Sequence, residues 1–207
     1  GIDGNGSKAD NIVDWVLVEL RQSTNPGNVL ATKSALLQRD GDVVDIDGRS
    51  DLVIDYLPGD YYLAVKHRNH LGIMTASSAS LSQVTRNANF TSSSLNTYGS
   101  FSRVEIDNGK LALWSGDTNG NRNIKFSGSN NDSNNIKDYI LADPFNIFGF
   151  LTFTSSGYLN NDVNLNSNGR FSGTQNDSNL IKDNVLSHPL NILGLTTFTI
   201  SEQIPNN

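Results

Sequence analysis

Asp117-Thr118-Asn119-Gly120-Asn121-Arg122-Asn123 returns 45 residues later as Asp162-Val163-Asn164-Leu165-Asn166-Ser167-Asn168. The match continues past these loops. Asp117 to Thr154 aligns without gaps onto Asp162 to Thr199, and 22 of the 38 pairs are identical. Composition alone does not produce identity at that level, so the segment is an internal duplication. In each copy a Phe-Ser-Gly (Phe126 to Gly128, Phe171 to Gly173) and an Asn-Asp-Ser-Asn follow the loop. A short helix is then expected over Ser133 to Ala142 and over Ser178 to Ser187. Ile136 and Ile140 share one face of the first, Ile181 and Val185 one face of the second. Asp132 and Asp177 occupy the expected N-cap positions. Pro144 and Pro189 end the helices, and Phe153 and Phe198 lie in extended segments beyond them.

Alternation of short oxygen side chains is the chemistry of these loops. In a tightly curled segment, alternate side chains converge on one point. A hard cation such as Ca²⁺ takes about 6 to 8 oxygens at about 2.3–2.6 Å. The candidate ligands are Asp117, Asn119, Asn121 and Asn123 in the first copy, and Asp162, Asn164, Asn166 and Asn168 in the second. Asp132 and Asp177 supply a second carboxylate to each. Two carboxylates balance a divalent ion without excess, which suits the weaker, extracellular end of calcium affinity. The competing reading is that Asn, Asp and Gly simply build turns here.

The loops resemble the dockerin and EF-hand calcium loop at positions one, three and five. Arg122 and Ser167 replace its usual Gly at position six. Gly128 and Gly173 stand where its acidic residue at position twelve belongs, and Asp132 and Asp177 come four residues later. They join the ligand set only if the Phe-Ser-Gly stretch loops out.

Outward from the duplication, residues 1–112 have a different character. Ile12 to Leu20 is a strongly apolar run that fits a strand buried on both faces or a core strand of a sandwich. Turns are expected at Ser23 to Asn28, Asp40-Gly41-Asp42 and Pro58-Gly59-Asp60, with strands at Ser34 to Arg39, Leu52 to Leu57 and Tyr61 to Met74. Asp107-Asn108-Gly109 reads as a hairpin turn between Phe101–Ile106 and Lys110–Trp114. The predicted fold is mainly β: a β-sandwich-like domain over 1–112, then a tandem calcium-loop domain over 113–207.

Composition narrows the function classes. The 207 residues include 28 Asn, 18 Gly and no Cys, with a net charge of −6. Without cysteine there is no disulfide framework, thiolate zinc site or cysteine nucleophile. The acidic balance argues against nucleic acid. No apolar run approaches the roughly 18 residues that span a bilayer, which argues against membrane insertion. The chain starts at Gly1 with neither an initiator Met nor a signal peptide, and is expected to be a piece of a longer protein.

The remaining clusters have bland explanations. His67 and His70, three apart on an expected strand, point to opposite faces and cannot clasp one ion together. His67 instead reads as a hydrogen-bonded histidine at the edge of the core. Asp40, Asp42, Asp45, Asp47 and Asp51 could form a third cation site or a glycosidase pair, and solvated turns account for them more simply. Asp3-Gly4-Asn5-Gly6-Ser7 is a weaker calcium-like fragment.

Val13-Asp14-Trp15-Val16-Leu17-Val18-Glu19-Leu20-Arg21, Ala35 to Asp45 and His67 to Thr75 resemble a set of modules. These lie in the C-terminal regions of large secreted proteins of gliding, polysaccharide-degrading bacteria. Trp114-Ser115-Gly116-Asp117-Thr118-Asn119, the paired Asn-Asp loops and Gln203-Ile204-Pro205 follow the same order. The resemblance implies a secreted or cell-surface, non-catalytic accessory module tethered to other domains, most naturally a polysaccharide-binding one. Trp114, Tyr98 and Tyr158 are the candidate sugar-stacking side chains. The alternative is a calcium-stabilised structural or protein-docking module, for which an exposed apolar surface would speak.

Overall fold

The computed structural model describes residues 11–106 and 109–206. The fragment from Asp3 to Ser7 and the turn residues Asp107 and Asn108 lie outside them. The fold is mainly β, with antiparallel strands and, among the described residues, two helices. No helix among the described residues is long and apolar enough to cross a membrane. The chain forms two compact units. Of the described residues, one holds those up to His67, those within Gly72–Ala112 and those from Gln203 on, and the other holds Arg68–Leu71 and Leu113–Glu202.

The first unit is built on a six-stranded sheet. Its strands are β1 (Ile12–Gln22), β2 (Asn25–Gln38), β3 (Val43–Val44), β4 (Gly59–His67), β5 (Ile73–Met74) and β6 (Ala79–Leu81). Their order is β3-β2-β1-β4-β5, and β6 also pairs with β4. The β1–β2 turn is tighter than expected. Gln22 pairs directly with Asn25, so only Ser23 and Thr24 turn, and Pro26 and Gly27 already lie in β2. Val16, Val18 and Ala35 form a core with Leu37, Val43, Leu52, Ile54 and Val65 packed on it. Leu52 to Leu57 is therefore a covering segment and no strand.

β1 corrects a second expectation. Val13, Trp15 and Leu17 are 37%, 48% and 36% exposed, while Val16 and Val18 alternate with them as core. Both phases of this run are apolar, and periodicity cannot then tell which face is covered. Farther along the sheet Ala64, Met74 and Ile204 close a second cluster with Tyr62. Arg21, fully buried, donates to the carbonyls of Pro26 and Pro205 and pairs with Glu19 at 2.7 Å. A small hairpin, β7 (Arg103–Glu105) with β8 (Leu111–Leu113), completes the strands of this stretch.

The second unit contains β9 (Asn123–Lys125), α1 (Asp132–Ala142), β10 (Thr154–Ser156), β11 (Asn168–Arg170), α2 (Asp177–Ser187) and β12 (Thr199–Ser201). Equivalent elements recur at the 45-residue spacing, and the copies are interleaved. β9 pairs with β12, and β10 pairs with β11, so each copy's loop strand takes its partner from the other copy's tail. Ile136, Ile140, Ile181, Val185, Ile124 and Val163 are buried between them. Ser133 and Ser178, equivalent residues, meet with their hydroxyls 2.6 Å apart, where an approximate internal two-fold would pass. Gly116 is needed here. Its φ is +129°, and a Cβ would come within 2.9 Å of the Ile181 side chain.

Candidate metal centre

Each helix begins one residue earlier than expected, and that residue matters. Asn131 and Asn176 are the N-caps, with side chains accepting from the amides of Asn134 and Asn179. Asn takes the capping role, so Asp132 and Asp177 are the first helical residues and their carboxylates are free to reach elsewhere. Residues 126–130 bulge away and let Asp132 return to the loop. It accepts from Thr118 N at 2.9 Å and, through its other oxygen, from Lys125 N at 2.8 Å. Asp177 does the same with Val163 N at 2.7 Å and Arg170 N at 2.8 Å. One carboxylate thus staples both ends of each loop.

The opening carboxylates curl the loop itself. Asp117 accepts from Asn121 N and Arg122 N at 3.0 and 2.9 Å, and Asp162 from Asn166 N and Ser167 N at 2.9 and 2.8 Å. Asn119 and Asn164 accept from the amides two residues on, and Asn121 and Asn166 do likewise. These are the turn bonds of the bland reading, and they also hold alternate oxygens on a curled backbone. Each carboxylate oxygen of Asp117 and Asp162 has a second acceptor direction beyond the one that its N–H donor takes. Asn123 and Asn168 differ from the rest. Their side chains accept from Ser201 and Ser156 on the paired tail strands and so are tied to the ladder rather than to the loop.

The backbone at position six supports the loop comparison. Arg122 and Ser167 have φ of +66° and +67°, the left-handed region in which the usual Gly is at ease.

Electrostatics separate these loops from ordinary turns. Asp132 and Asp177 are fully buried, and Asp117 and Asp162 nearly so. Desolvation is the main cause that raises Asp132 to about 6, and the neighbouring Asp117 charge adds to it. Desolvation likewise raises Asp177 to about 6, with Asp162 adding. Asp117 is raised too, by burial and by the nearby Glu202 carboxylate. Backbone N–H groups offset part of this cost, and a divalent cation would offset the remainder.

Glu202 was not visible in the spacing, because it comes from the tail of the other copy. Its amide donates to the Arg122 carbonyl, and its Oε2 lies 2.5 Å from Arg122 Nε. Its Oε1 is buried with no hydrogen-bond partner among the described residues. The equivalent residue beside the second loop is Gly157, whose amide donates to Ser167 in the same way. The two loops therefore share a backbone frame, and the first carries an Arg122–Glu202 ion pair where the second has Ser167 and Gly157. Among the described residues no three His, Cys, Asp or Glu side chains converge as a metal cluster. Beyond two carboxylates, the oxygens that each loop offers to a hard cation are those of amides and backbone carbonyls.

The other candidates lie apart from this centre. Trp114 is 2% exposed and packs against His188 at 5.1 Å, so its ring is a core ring. Tyr158 is exposed, with the Arg68 guanidinium 4.5 Å over its face. Tyr98 is 37% exposed. The expected long strand from Tyr61 to Met74 is interrupted after His67, so His67 and His70 do not share one strand. His67 sits in the core with Nε2 3.0 Å from Asp14, and His70 Nδ1 meets Asn69 Oδ1 at 2.7 Å. Asp40, Asp45 and Asp47 accept from nearby amides as turn residues do, and Asp47 is lowered to about 2 by the Ser50 hydroxyl and amide.

A surface that the spacing did not flag follows each helix. Asn146, buried, donates to Ile140 O and Phe150 O and accepts from Phe150 N. Asn191 repeats all three bonds with Val185 and Leu195. Around these anchors Phe145, Ile147 and Phe148 are 84%, 78% and 76% exposed, and Leu190, Ile192 and Leu193 are 58%, 88% and 76% exposed. No Asp, Glu, Lys or Arg occurs in 144–161 or in 184–201. No family model, curated protein or solved structure matches the chain.

Proposed function

We propose that the chain is a calcium-binding, non-catalytic accessory module of a secreted or cell-surface protein, with one Ca²⁺ held by each duplicated loop. The observation that carries this is the pair of buried carboxylates in each loop, Asp117 with Asp132 and Asp162 with Asp177. Burying two like charges together without a cation is costly, and a bound ion turns that cost into ordering of the loop. The first unit is taken as sandwich-like and the second as a tandem of loop, helix and extended segment. Calcium then fixes the second unit. A ligand bound only by the folded state stabilises it by RT ln(1 + [L]/Kd), about 2.7 kcal/mol at 100-fold saturation. Calorimetric titration should count two ions per chain, and chelation should lower the melting temperature by several degrees. The double variant Asp117→Ala/Asp162→Ala should lose that response. Identical melting with and without chelator, together with no heat of binding, refutes the proposal.

What the module holds is the second half of the proposal. The resemblance to polysaccharide-associated modules favours a glycan. The exposed, uncharged apolar loops at 145–151 and 190–195 favour the docking alternative, an apolar protein surface as partner, because sugar recognition relies on open aromatic faces with polar groups around them. Of the expected stacking residues, Trp114 is buried and Tyr158 is covered on one face by Arg68. We therefore favour docking ordered by calcium. Affinity electrophoresis against neutral and acidic polysaccharides separates the two: calcium-dependent retardation that survives Phe148→Ser and Ile192→Ser returns the assignment to glycan binding.

A further inference from the structure

Asn69 touches the opening of both loops. It lies in the Arg68–Leu71 stretch that belongs with the second unit, and it is fully buried. Its carbonyl accepts from Gly116 N at 2.9 Å and from Asp117 N at 3.0 Å. Its side-chain Nδ2 donates to the carbonyls of Asn160 and Asp162, both at 2.8 Å. Its Oδ1 is held by His70 Nδ1 at 2.7 Å, so the amide has one orientation in which all its bonds are made. Asp117 and Asp162 are the first residues of the two loops. The loop strands themselves do not pair with each other, since β9 joins β12 and β11 joins β10. Asn69, which belongs to neither loop, thus hydrogen-bonds to the backbone of both.

We propose that Asn69 couples the two calcium loops, so that filling one raises the affinity of the other. This rests on the calcium assignment made above. An ion at Asp117 fixes that residue's backbone, and with it the two amides that hold the Asn69 carbonyl. Fixing the Asn69 backbone fixes the root of the side chain that donates to Asp162. The first ion thus bears the ordering of Asn69, and the second binds a loop whose opening is already set. The effect is reciprocal, because linkage requires each ion to change the other's affinity by the same factor. A second contact between the copies, Ser133 Oγ with Ser178 Oγ, joins the helix starts and serves as the comparison.

The test is a calorimetric calcium titration of the full chain and its single-loop variants. With Asn69 in place, Asp117→Ala should weaken binding at the second loop, and Asp162→Ala should weaken the first, each by about tenfold. Asn69→Ala should make the loops titrate independently, because it deletes the Nδ2 bonds and keeps the carbonyl, while Ser178→Ala should leave the coupling in place. Independent titration in the unaltered chain, or coupling that persists in Asn69→Ala, overturns the assignment to Asn69. A chain that takes up no calcium overturns the calcium assignment itself, and is told apart by the missing heat. Should Asn69→Ala fail to fold, amide exchange of Asp117→Ala decides the matter. Calcium at the second loop should then slow exchange at the amides of Gly116 and residue 117. Exchange there that ignores calcium refutes the coupling.

Discussion

Position six of each loop shows what a single residue costs. Ser167 holds φ at +67° with a Cβ, in a region that L-residues enter at a penalty. Ser167→Gly should relieve it and raise stability by about 0.5–1 kcal/mol, read as a rise in melting temperature. A fall would mean that the serine side chain makes a compensating contact. Asp132 and Asp177 set a second expectation at this scale. Their folded-state values, about 6, lie above the ordinary 3.8, so the protonated form is the one the fold prefers. Their contribution is fully present below the unfolded value and is lost as pH rises through the folded one. In chelator, melting temperature should therefore climb between about pH 7 and about pH 5. With calcium saturating, the trend should reverse, because protons then compete with the ion. The sequence marks Asp117 to Asn121 as candidates, since alternation of oxygens at fixed spacing is itself the signal. It does not mark Glu202 and Asn69, because they reach the loops from distant chain and no local period includes them.

At the scale of elements, the copies were readable and their pairing was not. Forty-five-residue self-similarity gives the order loop, helix, extended segment, but it cannot say whose strand completes whose ladder. The helix starts moved by one residue because Asn-Asp offers two capping side chains in a row, and the fold uses the first. For β1, a run apolar in both phases left its solvent-facing side undecided. The segments after the helices carry the sharpest expectation here. Asn146→Ala removes the three side-chain hydrogen bonds that tie Ile140 to Phe150 and should cost about 1–3 kcal/mol by chemical denaturation. Phe148→Ser and Ile192→Ser, on the outside of the same segments, should shift stability by less than about 0.5 kcal/mol. A large loss from either would place these side chains in a core and remove the basis for docking.

Across the whole molecule, chain order and packing part company. Ile204 is buried with Ala64 and Met74 in the first unit, after the chain has passed through the whole of the second. Ile204→Ala should destabilise that unit by about 2–4 kcal/mol, with calcium uptake by the loops preserved. Loss of calcium uptake in that variant would show that the units do not hold their structure separately. The exchanged ladders of the second unit have a consequence for its origin. A protein carrying one copy of the segment would have a loop strand and a tail strand with nothing of its own to complete them. Two such molecules, each lending its tail to the other, would satisfy every bond that β9, β10, β11 and β12 make here. Fusion of the two genes would then make permanent, within a single polypeptide, a partnership that had begun between separate ones.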